Sequence, residues 1–546
     1  MSNLVATDGN WQNISRAIEA EKLYRQDINE NVNVFFQLFM ALNIYFMQLG
    51  FALLEAGSVR SKNTVNIIFK NMVQSWIAGI FYWIFGWAFA YGTPSNRFIG
   101  YGEFANPPED KYAIWFFQFT FASTASTIVS GALAERCNFV GFCLYTMFLT
   151  GFVYPIESHW VWAPNGWLKN IGGDNFGYKD FAGSGVVHVC AGCFSLIGSL
   201  LIEPRTGQFS TVITHHIDHE HRKTIKIIKG HSISLVALGV LVLLFGFFSF
   251  NGGSHLSVTA PGDLHIVARA MFDVIICGSG SALTALFVTR ALSKKWSLLV
   301  MANAYLTGMV SICAGCNVFY PWAAFVVGVT SGLVYIACSS ALTLVKIDDP
   351  LDATAVHLGG GLWGVLMRPF FDFNNGILYN FNRRSGLALA WNVIGLGAIM
   401  LWSLFWALVI FGALRLVSLL RISKDEEILG LDLSIHGEQA YPPAAYKDQW
   451  TDSSTAIMGE RPLSAHSGPS VARNDLPAQP TFDNRIKVST SSSRKPSSVH
   501  SNEGGQTLKY RGPQGPQMMV PSGFQYFDPM SVPGGDIRST YGSSAY

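Results

Sequence analysis

DPLDATAVHLGGGLWG, residues 349–364, sets a histidine, His357, in an apolar, glycine-dense run that continues to Met367 and is long enough with its flanks to enter a bilayer. A second stretch, DFAGSGVVHVCAG at 180–192, does the same with His188. In each, an aspartate (Asp180, Asp349) stands eight residues before the histidine, a valine immediately precedes it, and small residues follow within four positions. Two histidines in matching apolar settings ask for one explanation. Ionisable groups inside a membrane usually line pathways, so the expectation is a lumen bordered by both. A polar staple between helices is the alternative for either one taken alone.

Composition agrees with a membrane setting. Half of the 546 residues are hydrophobic and 13% are charged, against roughly a quarter charged in soluble domains. A formal net charge of +2 gives no reason to invoke nucleic acid. The first thirty residues are polar and carry no cleavable signal pattern, so the first apolar span is expected to serve as the insertion signal. Most of the eight cysteines fall inside apolar runs, which gives no disulfide framework. The two CAGC strings, Cys190 to Cys193 and Cys313 to Cys316, have the spacing of zinc or redox pairs, but their place in the spans predicts helix packing. THHIDHEH, with His215, His216, His219 and His221, matches no standard ligand set and is expected to be a solvated loop. Two intramembrane histidines without a third ligand, in a chain lacking HExxH or a nucleotide loop, predict neither an enzyme nor a metal or other cofactor.

Runs of roughly twenty apolar residues give eleven spans, centred near residues 44, 80, 122, 147, 192, 241, 276, 304, 328, 365 and 403. Basic residues crowd the loops on one side, among them Arg60, Lys62, Arg136, Arg205, Arg222 and Lys223, which predicts an extracellular N-terminus and a cytosolic C-terminus. His188 lies in the fifth span and His357 in the tenth, so their helices run in opposite directions. The fold class expected is an all-α polytopic membrane protein of eleven transmembrane helices with a five-plus-five inverted repeat, and in such folds the site lies between the repeats. Residues 1–31 form an extracellular N-terminal segment in this reading, 32–418 the membrane domain, 419–445 an ordered cytosolic element and 446–546 a disordered cytosolic tail. Asn13-Ile14-Ser15 is a glycosylation acceptor on the outer side. Serines beside Arg494 and Lys495 in the tail offer a kinase its acceptors.

Several strings together carry a family resemblance: GFALLEAGSVRSKN (50–63), GALAERCNF (131–139), DFAGSGVVH (180–188), FNGGS (250–254), DDPLDATAVHLGGGLWG (348–364) and GLDLSIHGEQAY (430–441). In this order, over about residues 30 to 445, the chain resembles the ammonium transporters, the family of Amt and Mep proteins and, more distantly, the Rh glycoproteins. The form of the 348–364 motif, with the polar N-terminus, is more similar to the animal Amt members than to plant or bacterial ones. The resemblance implies a plasma-membrane homotrimer with a pore in each subunit, selective for ammonium, with methylammonium as an analogue. It places the paired pore histidines at His188 and His357 and the supporting aspartate at Asp180. It places the outer recruitment site at Trp162, Ser254 and Phe121, and the stacked gate at Phe121 and Phe250. Phe117 and Gln118, a turn back from Phe121, are expected to face the same vestibule. Asp180, Asp349 and Asp352 open helices and are expected to cap them. Two other functions stay open: an Rh-type neutral gas channel, against which Trp162 and Ser254 argue, and an ammonium sensor that signals through the tail.

Overall fold

The structure, a computed structural model, describes residues 5–442 apart from 174–175, 216–220 and 226, and at 5–10, 212–215 and 221–225 it describes the backbone alone. The chain divides into two units, Met1–Glu460 and Arg461–Tyr546, and everything described belongs to the first. The tail expected from residue 446, with its serines, lies outside the described residues, as do all four histidines of THHIDHEH, His216 and His219 in whole and His215 and His221 in their side chains.

Among the described residues, eight helices are long and apolar enough to cross a membrane: α1 (Trp11–Ser58), α2 (Ser61–Tyr91), α4 (Phe139–Trp162), α5 (Ser184–Ile202), α6 (Ile233–Gly253), α7 (Asp263–Ser293), α9 (Pro321–Leu344) and α11 (Arg383–Leu416). Three further helical segments lie between them: α3 (Tyr112–Ala132), α8 (Leu298–Ile312), and α10, which runs through Thr354–Gly359 into Gly360–Phe371. Each falls short for a reason visible in its residues. α3 carries Ser123, Thr124, Ser126, Thr127 and Ser130, all buried against neighbouring helices; α8 has only 15 residues; α10 is interrupted by His357 and Arg368. The chain is therefore a helical, multi-span membrane protein.

Side-chain caps set several starts. Ser232 accepts from Leu235 N ahead of α6, and Ser297 from Val300 N ahead of α8. Asn382 and Ser385 form a capping box on α11. One region adds to the sequence reading and another differs from it. The polar N-terminal segment is helical from Val5 and continuous with the first span, because AIEAEKLYR consists largely of strong helix formers and Glu21 and Arg25 pair at 2.7 Å one turn apart. The loop between α5 and α6 folds into an antiparallel hairpin, β1 (Thr211–His215) with β2 (His221–Ile225), so the molecule is not wholly helical. Its flanks TVITH and HRKTI are rich in β-branched residues.

The loops at one end are tied together by ions. Arg205 meets Asp348 through Nε at 2.8 Å and Nη2 at 2.9 Å, and Glu135 through Nη1 at 3.0 Å, while Arg60 reaches the other oxygen of Glu135 at 2.5 Å. Burial alone would raise the Asp348 carboxyl, but the Arg205 guanidinium overrides it and holds the group down at about 2. Glu135 is lowered in the same way, the charges of Arg205 and Arg60 outweighing its burial. Against this end packs the C-terminal element, α12 (Lys424–Leu429) and the turn Asp432–His436. Its Asp432 accepts Thr64 N at 3.1 Å and Asn66 N at 3.0 Å, capping the first turn of α2. A cavity of about 580 Å³ opens here, lined in part by Ser58, Arg205, Asn303, Asp348 and Asp352.

Candidate pore site

α5 and α10 are built alike where their histidines sit. Asp180 accepts four backbone N–H groups, from Gly183 and Ser184 on Oδ1 (3.0 and 2.9 Å) and from Gly185 and Val186 on Oδ2 (2.7 and 3.0 Å). Asp349 accepts from Ala353 at 3.1 Å and Thr354 at 2.7 Å. Both carboxylates are thus engaged in capping. Asp352 holds side chains instead, Tyr335 Oη at 2.8 Å and Ser339 Oγ at 3.1 Å. After each cap the helix opens with a π turn, Ser184–Val189 and Thr354–Gly359, and each π turn carries the histidine. One wide turn moves the side chains after it off the regular 3.6-residue stripe, which is why such turns recur where a helix must aim one residue.

Each π turn packs against the regular half of the other helix. Glycines permit the approach: a Cβ on Gly192 would strike the backbone of Leu358, and one on Gly361 would strike the Ser184 carbonyl. The two rings consequently meet. His188 Nδ1 lies 3.1 Å from His357 Nδ1, with ring centroids 5.1 Å apart and planes 21° apart. His188 is fully buried and His357 nearly so, and among the described residues no carboxylate or cation bonds to either ring.

Outward from the pair come aromatic rings. Phe250 stands 5.7 Å from the His188 ring and stacks on Phe121 at 4.0 Å and 14°. Trp162 meets Phe121 edge-on at 5.8 Å, with its indole N–H fixed to Asp180 O at 2.8 Å. Phe117 sits 5.0 Å from Phe121. The Ser254 hydroxyl donates to Phe250 O at 2.7 Å, which leaves its oxygen lone pairs open. Gln118 is buried, and its Oε1 has no partner among the described residues. Trp162 and Asp180 also border a cavity of about 320 Å³ that Lys169 and Arg368 share. Asn13 is exposed on α1, far along the chain from this assembly.

Two neighbours of the pair are absent from the sequence-based site. Phe247 lies 6.0 Å from His188 and nearly parallel to it; it stands three residues before Phe250 on α6, and that helical spacing is the signal that finds it. Cys313, assigned to packing with its CAGC string, puts Sγ 3.8 Å from His188 Nε2 and 3.1 Å from Met309 O. All eight cysteines are free, and no group of three metal-ligating side chains occurs among the described residues. Chemically, the arrangement offers a cation aromatic faces and open oxygens on one side of a stacked pair of phenylalanines, and two touching imidazoles on the other.

Comparison with known proteins agrees over most of the chain. Residues 34–441 match the model of the Ammonium Transporter Family. The chain is 45% identical over 442 residues to "Putative ammonium transporter 1" of Caenorhabditis elegans, covering 78% of this chain and 81% of that one. It is 38% identical to "Ammonium transporter 1 member 3" of Solanum lycopersicum, covering 77% and 95%. Among solved structures, one described as "Sensor Amt Protein" superposes with a TM-score of 0.67 at 30% identity, covering 75% of this chain and 99% of that one. Candida albicans Mep2 shares the fold, with a TM-score of 0.63 at 22% identity, covering 76% and 92%.

Proposed function

The chain belongs to the ammonium transporter family, and from that premise we propose that it carries ammonium across the membrane by recruiting the cation at Trp162, Phe121 and Ser254, removing its proton at His188 and His357, and conducting ammonia past them. The observation that supports this most is the contact between two buried histidines that have no counter-charge among the described residues, set behind stacked aromatic rings.

Ammonium is close to potassium in size, so width alone cannot select it. The aromatic faces attract either ion, by about 0.5–2 kcal/mol each. The oxygens of Ser254 and Gln118 distinguish them, since only ammonium has N–H bonds to donate. Beyond Phe250 a bare charge costs about 3 kcal/mol or more, whereas neutral ammonia crosses freely. What ammonium has and potassium lacks is a removable proton. A neutral histidine pair shares one proton between its Nδ1 atoms and leaves one ring nitrogen bare. The Cys313 thiol has one proton, and the shorter contact, to Met309 O, claims it. Its sulfur then accepts from His188 Nε2–H, His357 Nδ1–H donates to His188 Nδ1, and the bare nitrogen is Nε2 of His357.

The same reading takes the eight long helices and the three shorter ones as eleven spans, with the N-terminus and Asn13 outside, where Asn13 carries a glycan, and with the ion-paired end and C-terminal element in the cytosol. The subunits form a homotrimer in the plasma membrane, and the tail serines are kinase acceptors. Current measured across an ammonium concentration step in vesicles tests the mechanism: a neutral-gas channel carries none. A sensor function is the second reading, supported by the likeness to the "Sensor Amt Protein". Deleting residues 446–546 separates it, since a sensor keeps uptake and loses the downstream response.

A further inference from the structure

Glu55 is a buried carboxyl that this account leaves unused. It lies in GFALLEAGSVR, about one turn before Ser58 at the end of α1, and is 1% exposed. Ser130 of α3 donates to its Oε1, and Asn71 of α2 to its Oε2 at 3.0 Å. Its charged neighbour is Lys70, whose ammonium donates to Cys137 O at 2.7 Å. Thr127, one turn before Ser130, bonds Gln74 at 2.7 Å and Gln48 at 2.9 Å. Glu55, Thr127 and His357 are the polar lining of one cavity of about 20 Å³ whose other walls are mostly apolar, Phe51, Leu54 and Val356 among them. That is room for about one water. Leu351 and Ala353 in the same wall flank Asp352, which lines the large cavity at the ion-paired end, as Ser58 does.

An ionisable group within a span is costly to keep and usually marks a proton or ion path. Packing alone does not require a carboxyl here. The Ser130 hydroxyl has a second acceptor in Thr127 O at 2.8 Å, so a glutamine at position 55 can donate an N–H to the Ser130 oxygen and still accept from Asn71, whose amide also donates to Ile67 O at 3.0 Å.

We propose that Glu55 is the inner proton acceptor of the pore, reached from His357 through a single water; this rests on the twin-histidine reading above. In the step, the proton held on His357 passes to the water oxygen as the water gives one of its own protons to the Glu55 carboxylate. One N–H bond breaks, one O–H bond forms on the water while another breaks, and one O–H bond forms on Glu55. The imidazolium and the carboxylate both become neutral, the water is regenerated, and no electrons are exchanged. Glu55 then releases the proton to water at the large cavity, about a turn away at Ser58. Ammonia needs no such group, because a neutral molecule crosses the apolar wall unaided.

The full-length protein in vesicles tests this, with ammonium-evoked current and ammonia flux recorded in parallel for the unaltered chain, Glu55→Gln and Glu55→Asp. The expected result is a current reduced at least ten-fold in Glu55→Gln with ammonia flux kept within about two-fold, and a current partly restored in Glu55→Asp. Equal current in Glu55→Gln and the unaltered chain overturns the proposal. So does a parallel loss of current and flux in both variants, which assigns Glu55 a structural role, or ammonia flux without current in the unaltered chain. No ammonium-dependent flux in the unaltered chain would instead overturn the transport reading itself.

Discussion

The histidine pair and the ion-paired end both bury ionisable groups, yet they treat them in opposite ways. At the loops, Arg205 is enclosed by Asp348 and Glu135, and Arg60 completes the set, so every charge has a partner within 3.0 Å. At the pair, two bases face each other, and among the described residues no charge is bonded to either. Buried partners of opposite sign hold loops in register, and removing one strands the other in a dry setting. Buried bases without a partner hold nothing as firmly, but they can gain and lose a proton. The difference separates fixed charge, used to fasten the helix ends, from exchangeable charge, used on the cargo.

The largest stability effect should come from breaking the fastened region. Asp348→Asn leaves Arg205 short of its bidentate partner and should cost about 3–5 kcal/mol, read as a lowered thermal midpoint of the purified protein. The acid dependence follows the same group. Its folded pKa of about 2 lies below the ordinary 3.8, so its contribution is whole above about pH 4 and fades as pH falls toward 2. Asp348→Asn should flatten that acid limb, and an unchanged limb would remove Asp348 from the account. Asp180→Asn is a smaller break at the other region. One of two acceptor oxygens becomes a donor facing the N–H groups of Gly185 and Val186 or of Gly183 and Ser184, at about 1–3 kcal/mol, and the start of α5 should exchange its amide hydrogens faster. Smallest is Trp162→Leu, which removes one aromatic face worth about 0.5–2 kcal/mol. It should weaken ammonium recruitment up to roughly thirty-fold, read as a raised half-saturating ammonium concentration; unchanged half-saturation would take Trp162 out of the recruitment site.

Much of this was legible because the evidence was local in the chain. Asp180 and Asp349 at matching distances ahead of His188 and His357, with glycines just after, announced two helices that start alike and approach closely, and their rings do meet. The helical segments likewise fall near the centres that apolar runs mark. The rest depended on contacts that no period in the sequence encodes. The π turns under both histidines leave no trace in a 3.6-residue pattern. Cys313 comes beside His188 only through the packing of α8 on α5, and Glu55 shares a cavity with His357 only because α1 and α10 converge. The helical N-terminal segment was obscured for a different reason, since its stability comes from propensity and not from an apolar face.

The central claim is that the histidine pair selects ammonium by taking its proton. It is tested most directly by uptake in reconstituted vesicles, with potassium and methylammonium as competitors, for the unaltered chain, His188→Ala and His357→Ala at matched assembly. Ammonium selectivity should collapse in both variants, by about 100-fold if the roughly 3 kcal/mol charge barrier is no longer avoided, while the protein stays assembled. Both variants transporting ammonium over methylammonium and potassium as the unaltered chain does would contradict it.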